Sequence, residues 1–317
     1  MLDSVIVLVN PTAAGGRGAR AGIRTVGALR AAGVSATLLM GRDAAQAEDL
    51  ARAALQGGAR ALVVVGGDGT VHLGTQLVAG TDTALGVVGA GTGNDFARTL
   101  GLPAADYRRG ARVLVEAVLS GHTRQVDAVR TSVGWFTCVL SAGFDSVVNE
   151  RANRMRWPSG RLRYDVAMLR ELPGFRPVHF TIELSGEAGR EGARRLRGEA
   201  GHEAVRRVER EAMLVAVGNT PSYGGGMRIC PAAGVEDGLL DVTLVGPMGV
   251  PTLLRLFPLV FSGRHVNHPS VTTYRARSVA LAAAHVTAYA DGERLGALPL
   301  RAEVVPGALR VLVPPHL

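Results

Sequence analysis

"LVVVGGDGTVHLG", residues 62–74, runs an apolar stretch into a turn with three glycines around one acid, Asp68. An unbroken apolar run of this length reads as a strand buried on both faces. An ordinary turn needs one glycine. Here Gly66, Gly67 and Gly69 all lack a side chain, so a close approach to this backbone is expected.

The same texture extends on both sides. "SVIVLV" (4–9), "SATLLM" (35–40), "ALVVV" (61–65) and "ALGVV" (84–88) read as strands. Helical stretches lie between them: one ends near Gly33, "AAQAEDLARAALQGG" (44–58) stops on glycine, and another starts at Thr70. Strands alternating with helices imply a parallel sheet covered on both faces, with ligands at the carboxyl ends of its strands. From about residue 125 short β-rich pieces dominate, among them "WFTCVLSAGF", "VHFTIEL", "AMLVAVGN", "LLDVTLV" and "HVTAYADGE". They predict a mostly antiparallel, sandwich-like domain. The expected division is an α/β domain over 1–125 and a β-rich domain over 126–300, with a last strand near 308–317 returning to the first. Residues 147–173 look helical. Residues 186–210 alternate Arg and Glu and read as a solvated hairpin tip. Residues 250–263 suit an amphipathic helix broken by Pro251 and Pro258.

Composition narrows the function. The chain has 317 residues and a net charge of +8, and all 35 basic residues are arginine. Without lysine, a GxxxxGK[ST] phosphate loop is excluded. The positive charge suits anionic partners, but no nucleic-acid motif accompanies it, so nucleic acid is not expected as a partner. No apolar run approaches the roughly 18 residues of a membrane span. The N-terminus lacks the base of a signal peptide, so the chain reads as cytoplasmic. Two cysteines, Cys138 and Cys230, make no disulfide or zinc framework.

Two more glycine loops, "NPTAAGGRG" (10–18) and "GAGTGNDFART" (89–99), follow strands. All three loops offer bare N–H groups at helix N-termini, which bind anions. The hydroxyls of Thr12, Thr70 and Thr92 and the amides of Asn10 and Asn94 add hydrogen-bonding capacity, enough to wrap a nucleotide triphosphate. Asp68 amid phosphate-binding backbone calls for a cation, so it reads as a Mg²⁺·nucleotide contact, direct or through water. A helix N-cap is the alternative and is compatible with it.

The "GGDGT" loop resembles that of the superfamily holding NAD kinases, phosphofructokinases and the diacylglycerol and sphingoid-base lipid kinases. "GTGNDFARTLGLP" (91–103), "SAGFDSVV" (141–148), "GNTPSYGGGMRICPAAGVEDGLLDVTLV" (218–245) and "AYADGE" (288–293) resemble segments of the bacterial diacylglycerol-kinase-like soluble lipid kinases. The resemblance implies an NAD kinase/phosphofructokinase-like nucleotide domain, a β-rich lipid domain and an active site in the cleft between them. It implies ATP contacts at Asn10, Pro11, Thr12, Ala13 and Ala14, at Gly66, Gly67, Asp68, Gly69, Thr70, Val71 and His72, and at Thr92. It also implies a structural Mg²⁺ on Asp237 and the carbonyls of Gly234 and Leu239; a plain Asp-Gly turn is the other reading. A family threonine after the second strand is missing, where Met40 and Gly41 stand. Of the acids in "ADGE", Glu293 is expected as general base and Asp291 as its helper, with the two roles interchangeable. The arginines of 149–176, with Met155, Trp157, Tyr164 and Met168, suit peripheral membrane contact or a solvated helix face. The expected activity is an ATP- and Mg²⁺-dependent lipid kinase acting on diacylglycerol. A sphingoid-base kinase, a kinase of a soluble acceptor such as NAD, and a non-catalytic nucleotide-binding regulator are the rivals. The acceptor lipid and the oligomeric state are not legible.

Overall fold

The computed structural model describes residues 4–11, 13–155, 157, 161–187 and 205–317. The chain divides into two units, Met1–Ala128 with Pro306–Leu317, and Val129–Val305.

Unit 1 is built from alternating elements: β1 (Ser4–Val9), α1 (Ala13–Ala31), β2 (Ser35–Met40), α2 (Ala44–Gln56), β3 (Ala61–Gly66), α3 (Asp68–Val78) and β4 (Ala84–Gly89). The short helix α4 (Asp95–Thr99) and α5 (Tyr107–Ser120) follow. The strands are parallel in the order β2-β1-β3-β4. Every residue of β3 and β4 is buried, which is why both read as apolar runs. Val7, Val63 and Val88 pack against Val26, Leu29 and Leu114 of the helices. Acids cap two helices: Asp43 Oδ1 accepts from Gln46 N at 2.8 Å, and Asp106 Oδ1 from Arg108 N at 2.9 Å. Helix α3 starts at Asp68, two residues before the expected Thr70.

Unit 2 continues β5 (Thr123–Thr131) into β6 (Gly134–Phe136), β7 (Val139–Gly143), α6 (Phe144–Arg154), α7 (Arg161–Glu171), β8 (Val178–Ser185), β9 (Val205–Ala212), β10 (Leu214–Gly218) and β11 (Leu240–Val245). Helix α8 (Val250–Ser262), β12 (Val271–Ala276), β13 (Ser278–Ala282), β14 (Thr287–Ala290), β15 (Glu293–Ala297) and β16 (Leu300–Leu312) complete it. One sheet runs β12-β11-β10-β7-β14-β15, all antiparallel. A second holds β9, β8, β13 and the first half of β16. Alternate residues of the two sheets, such as Leu140 and Ala142, Val215 and Val217, and Phe180, Ile182 and Leu184, form one apolar core. The end of β16 lies in unit 1, where Arg310 and Val311 pair in parallel with Ala84 and Leu85 of β4. Among the described residues no helix is long and apolar enough to cross a membrane.

Three expectations change. Residues 205–210, read as part of a hairpin tip, form most of β9 and pair with β8, while 188–204 lie outside the described residues. Pro251 and Pro258 do not break α8. Pro251 sits in its first turn, and Pro258 is carried inside one continuous helix. In 149–176, Met155, Tyr164 and Met168 pack inward on Val148, Ala152 and Ala167, leaving Trp157 exposed.

The bare turn after β3 has a structural answer. The loop after β4 packs directly on it. A Cβ at Gly67 would stand 3.2 Å from Gly91 Cα, and a Cβ at Gly91 would overlap Gly67 Cα outright. A Cβ at Gly66 would stand 2.7 Å from Thr70 Cβ. At Gly67 the missing side chain makes room for the chain's own neighbouring loop, and at Gly66 for the Thr70 side chain. Gly91→Ala should therefore force two backbones apart and destabilise unit 1 by about 1–3 kcal/mol. The loss should appear as a lower urea midpoint at unchanged slope.

Candidate active site

The loops after β1, β3 and β4 lie at the carboxyl ends of three adjacent strands, the ligand-binding edge of such sheets. Asp68 joins two of them. Its Oδ2 accepts from Asn94 N at 3.0 Å and its Oδ1 from Asp95 N at 2.9 Å. The acid thus caps α4 from another element, while Gly67 takes the N-cap position of α3 without a side-chain bond. A carboxylate at this edge is a hard oxygen ligand of the kind a hydrated divalent cation takes.

The other residues expected around a nucleotide divide into two groups. Asn10, Gly69 and Thr92 are exposed at the loops, with Pro11, Gly67 and His72 half-buried. Asn10 N lies 3.4 Å from Val65 O, and His72 Nε2 lies 3.2 Å from Gln76 Nε2. Ala13 and Ala14 open α1; Thr12 lies outside the described residues. The second group points inward. Gly66 is buried at the end of β3, and Thr70 and Val71 are buried at 6% and 4% exposure, so they offer a ligand backbone at most. Asn94 is buried, adopts a left-handed φ of 54°, and its side-chain amide is engaged within its own loop. Nδ2 donates to Gly91 O at 3.0 Å and Ala104 O at 2.6 Å, and Oδ1 accepts from Gly91 N at 3.0 Å. These bonds hold the loop after β4. Asp95, 2% exposed beside Asp68, was not singled out from the sequence. Its signal is an acid followed by the apolar Phe96 at a helix start.

In unit 2 the "ADGE" turn fixes one acid and frees the other. Asp291 has a φ of 53°, which L residues rarely adopt. Its Oδ1 accepts from Cys138 N at 2.8 Å, and its Oδ2 from Thr137 N at 2.9 Å and Thr137 Oγ1 at 3.3 Å. Its own N–H donates to Val139 O at 3.2 Å. Glu293, two residues on at the start of β15, is exposed.

The "VEDGLLD" turn places the Asp237 carboxylate against Gly234, where a Cβ would stand 3.0 Å from Oδ2. Asp237 Oδ1 accepts from Leu239 N at 3.0 Å. Arg275 binds Asp237 Oδ2 and also reaches Asp241 Oδ2 at 3.1 Å. Burial pushes the Asp241 carboxyl up, and Arg275 opposes that rise. The donor set of carboxylate and carbonyl oxygens fits a hard divalent cation, which would share Asp237 with a guanidinium already in place. Among the described residues no three His, Cys, Asp or Glu side chains gather into a metal cage.

A further acid escaped the sequence reading. Asp145, in the first turn of α6, accepts from Tyr223 Oη at 3.2 Å, Asn149 Nδ2 at 3.1 Å and Ser141 Oγ. Burial pushes its carboxyl above the usual carboxylate range, against the pull of these three donors.

Comparison with known proteins agrees with this architecture. Residues 4–131 match the family described as diacylglycerol kinase catalytic domain. Residues 138–313 match the YegS C-terminal NAD kinase beta sandwich-like domain. The chain is 40% identical to a diacylglycerol kinase of Mycobacterium tuberculosis over 320 residues, covering 99% of this chain and 96% of that one. It is 25% identical to a diacylglycerol kinase of Bacillus subtilis over 242 residues, covering 75% and 72%. The solved structure of a diacylglycerol kinase of Bacillus anthracis shares the fold at a TM-score of 0.70 and 20% identity, over 99% of this chain and 98% of that one. Two matched domains in this order, and a relative similar from end to end, place the chain in the diacylglycerol kinase family of lipid kinases.

Proposed function

We propose that the protein transfers the γ-phosphoryl group of ATP, with Mg²⁺, to a lipid hydroxyl, and that the lipid is diacylglycerol, giving phosphatidate. The observation that carries this reading is the Asp68-bridged pair of glycine loops at the sheet's carboxyl edge, supported by the likeness to the mycobacterial diacylglycerol kinase. The N–H groups opening α1 and α3 and the exposed Thr92 receive phosphate oxygens. Asp68, an acid at this phosphate-binding edge, would hold the hydrated cation, directly or through water. When bound, Mg²⁺ offsets charge on the phosphates.

The lipid hydroxyl oxygen attacks the γ-phosphorus. The bond from that phosphorus to the β–γ bridging oxygen breaks, ADP leaves, and the hydroxyl proton passes to a carboxylate. The geometry favours exchanging the two roles expected for the turn. Asp291 is held by three donors at a rare backbone conformation, and a fixed carboxylate suits proton abstraction. Glu293, exposed and two residues on, is free to meet the acceptor or the hydrated cation. Asp237, with the carbonyls of Gly234 and Leu239, would hold a second divalent ion that stiffens the turn before β11.

Three measurements test these assignments. Incubated with γ-labelled ATP and Mg²⁺, the protein should label diacylglycerol in mixed micelles, and label a sphingoid base, a polyprenol and NAD far less. Label in NAD alone would replace the lipid reading with a soluble acceptor. Asp291→Asn should lower kcat by roughly 10²–10⁴ with the fold retained by circular dichroism, and Glu293→Gln should cost less. The opposite ranking would return the base to Glu293. Mg²⁺ alone, without nucleotide, should raise the parent's melting midpoint, and Asp237→Asn should abolish that rise. A parent indifferent to Mg²⁺ would empty the turn of its cation.

A further inference from the structure

Helix α8 has 13 residues, "VPTLLRLFPLVFS", and Arg255 is its one ionisable side chain. One side of the helix is packed: Leu256 is 5% exposed and joins Met213, Val245 and Val271 in a small core, with Leu253 against it. A helix lying on a domain normally turns polar residues outward. Here the outward positions are Pro251, Leu254, Pro258 and Leu259, all exposed, with Leu254 at 45% and Leu259 at 38%. Val250 adds 37% at the N-terminal end.

Three exposed arginines lie on or beside this helix. Arg255 lies on the helix, and Arg264 follows it. Arg228 lies alongside, its N–H bonded to Val260 O at 3.0 Å. All three are exposed. The ion pairs of unit 2 use other arginines, such as Arg151, Arg154, Arg206, Arg207 and Arg275. Among the described residues these three have none. No Asp or Glu occurs anywhere from Val242 to Ala290. An apolar strip flanked by arginines, on a stretch of chain without acids, matches an anionic bilayer surface, apolar below and phosphate above.

Two details point to lying on that surface. The helix is too short to span. Pro258 has no N–H to offer the Leu254 carbonyl, which the hydrated interface can solvate and hydrocarbon cannot. A second copy of the chain fits poorly, because a two-fold contact would set these arginines against their own copies. We infer that the outward face of α8 docks on an anionic lipid bilayer, with Leu254 and Leu259 entering the acyl boundary and Arg228, Arg255 and Arg264 meeting headgroup phosphates. The inference rests on the lipid-kinase reading and moves the membrane contact expected of 149–176 to α8.

Vesicle co-sedimentation tests it with no phosphoryl transfer involved. The parent should bind phosphatidylcholine vesicles containing phosphatidylglycerol better than phosphatidylcholine alone, and less well at high salt. Leu254→Glu with Leu259→Glu should weaken binding about tenfold or more. Leu119→Glu, on the similarly exposed Leu119 of α5, should leave it unchanged. Arg255→Gln with Arg264→Gln should erase the preference for the anionic vesicles, which decides the case should the glutamate pair fail to fold. A folded glutamate pair that sediments like the parent overturns the proposal. So does a parent dimer, seen by light scattering, that the glutamate pair splits without change in vesicle binding. A parent that docks yet labels no lipid keeps the surface and loses the kinase reading. One that labels short-chain diacylglycerol without binding vesicles loses the surface alone.

Discussion

The loop-bearing edge of the unit 1 sheet hangs on the Asp68 carboxylate. A helix of five residues cannot nucleate or hold itself, and the first N–H groups of α4 would be left without acceptors. Asp68 supplies both acceptors from across the sheet. The dependencies close into a ring. Asp68 follows Gly67; Gly67 packs on Gly91; Gly91 is held by Asn94; and the Asn94 N–H returns to Asp68. Each member fixes the residue type of the next. The acid also sits in the first turn of α3, where the helix dipole favours a negative charge.

Much of unit 1 is legible in the chain because its strands are buried on both faces. β1, β3 and β4 have almost no polar residues to obscure them, and the glycine loops end them cleanly. The purpose of the glycines is less legible. Bare backbone reads as room for a ligand, whereas the neighbouring loop fills part of it. That contact joins residues more than twenty positions apart, which no local pattern encodes. The same blindness explains Asn94, whose amide looks available until Gly91 and Ala104 are seen around it.

Unit 2 is harder to read. Strand β9, "VRRVEREA", among the described residues pairs with β8 alone and exposes most of its residues, so it keeps charges of the kind that guard an edge and hide the strand. Helix α8 carries a proline that usually ends helices, yet its apolar inner side keeps it packed. Asp145 and Asp241 resemble any other acids in sequence. Their special environments come from Tyr223, 78 positions from Asp145, and Arg275, 34 positions from Asp241. The "ADGE" turn is visible as a pair of acids, but the hydrogen bonds from Thr137 and Cys138 to Asp291 distinguish one from the other.

Strand β16 has a consequence for how the chain is made. Its end supplies a neighbour for β4, a strand completed more than two hundred residues earlier. The α/β sheet therefore gains this pairing only once β16 has been made. Until then β4 offers part of an open edge, with Gly80 N and Asp127 still awaiting Ala308 O and Gly307 N. Pairing over such a distance makes assembly slow and leaves an intermediate open to chaperones. Strand β16 thus acts as a clasp, and a nascent chain that had not reached it would hold the glycine loops on an unfinished sheet.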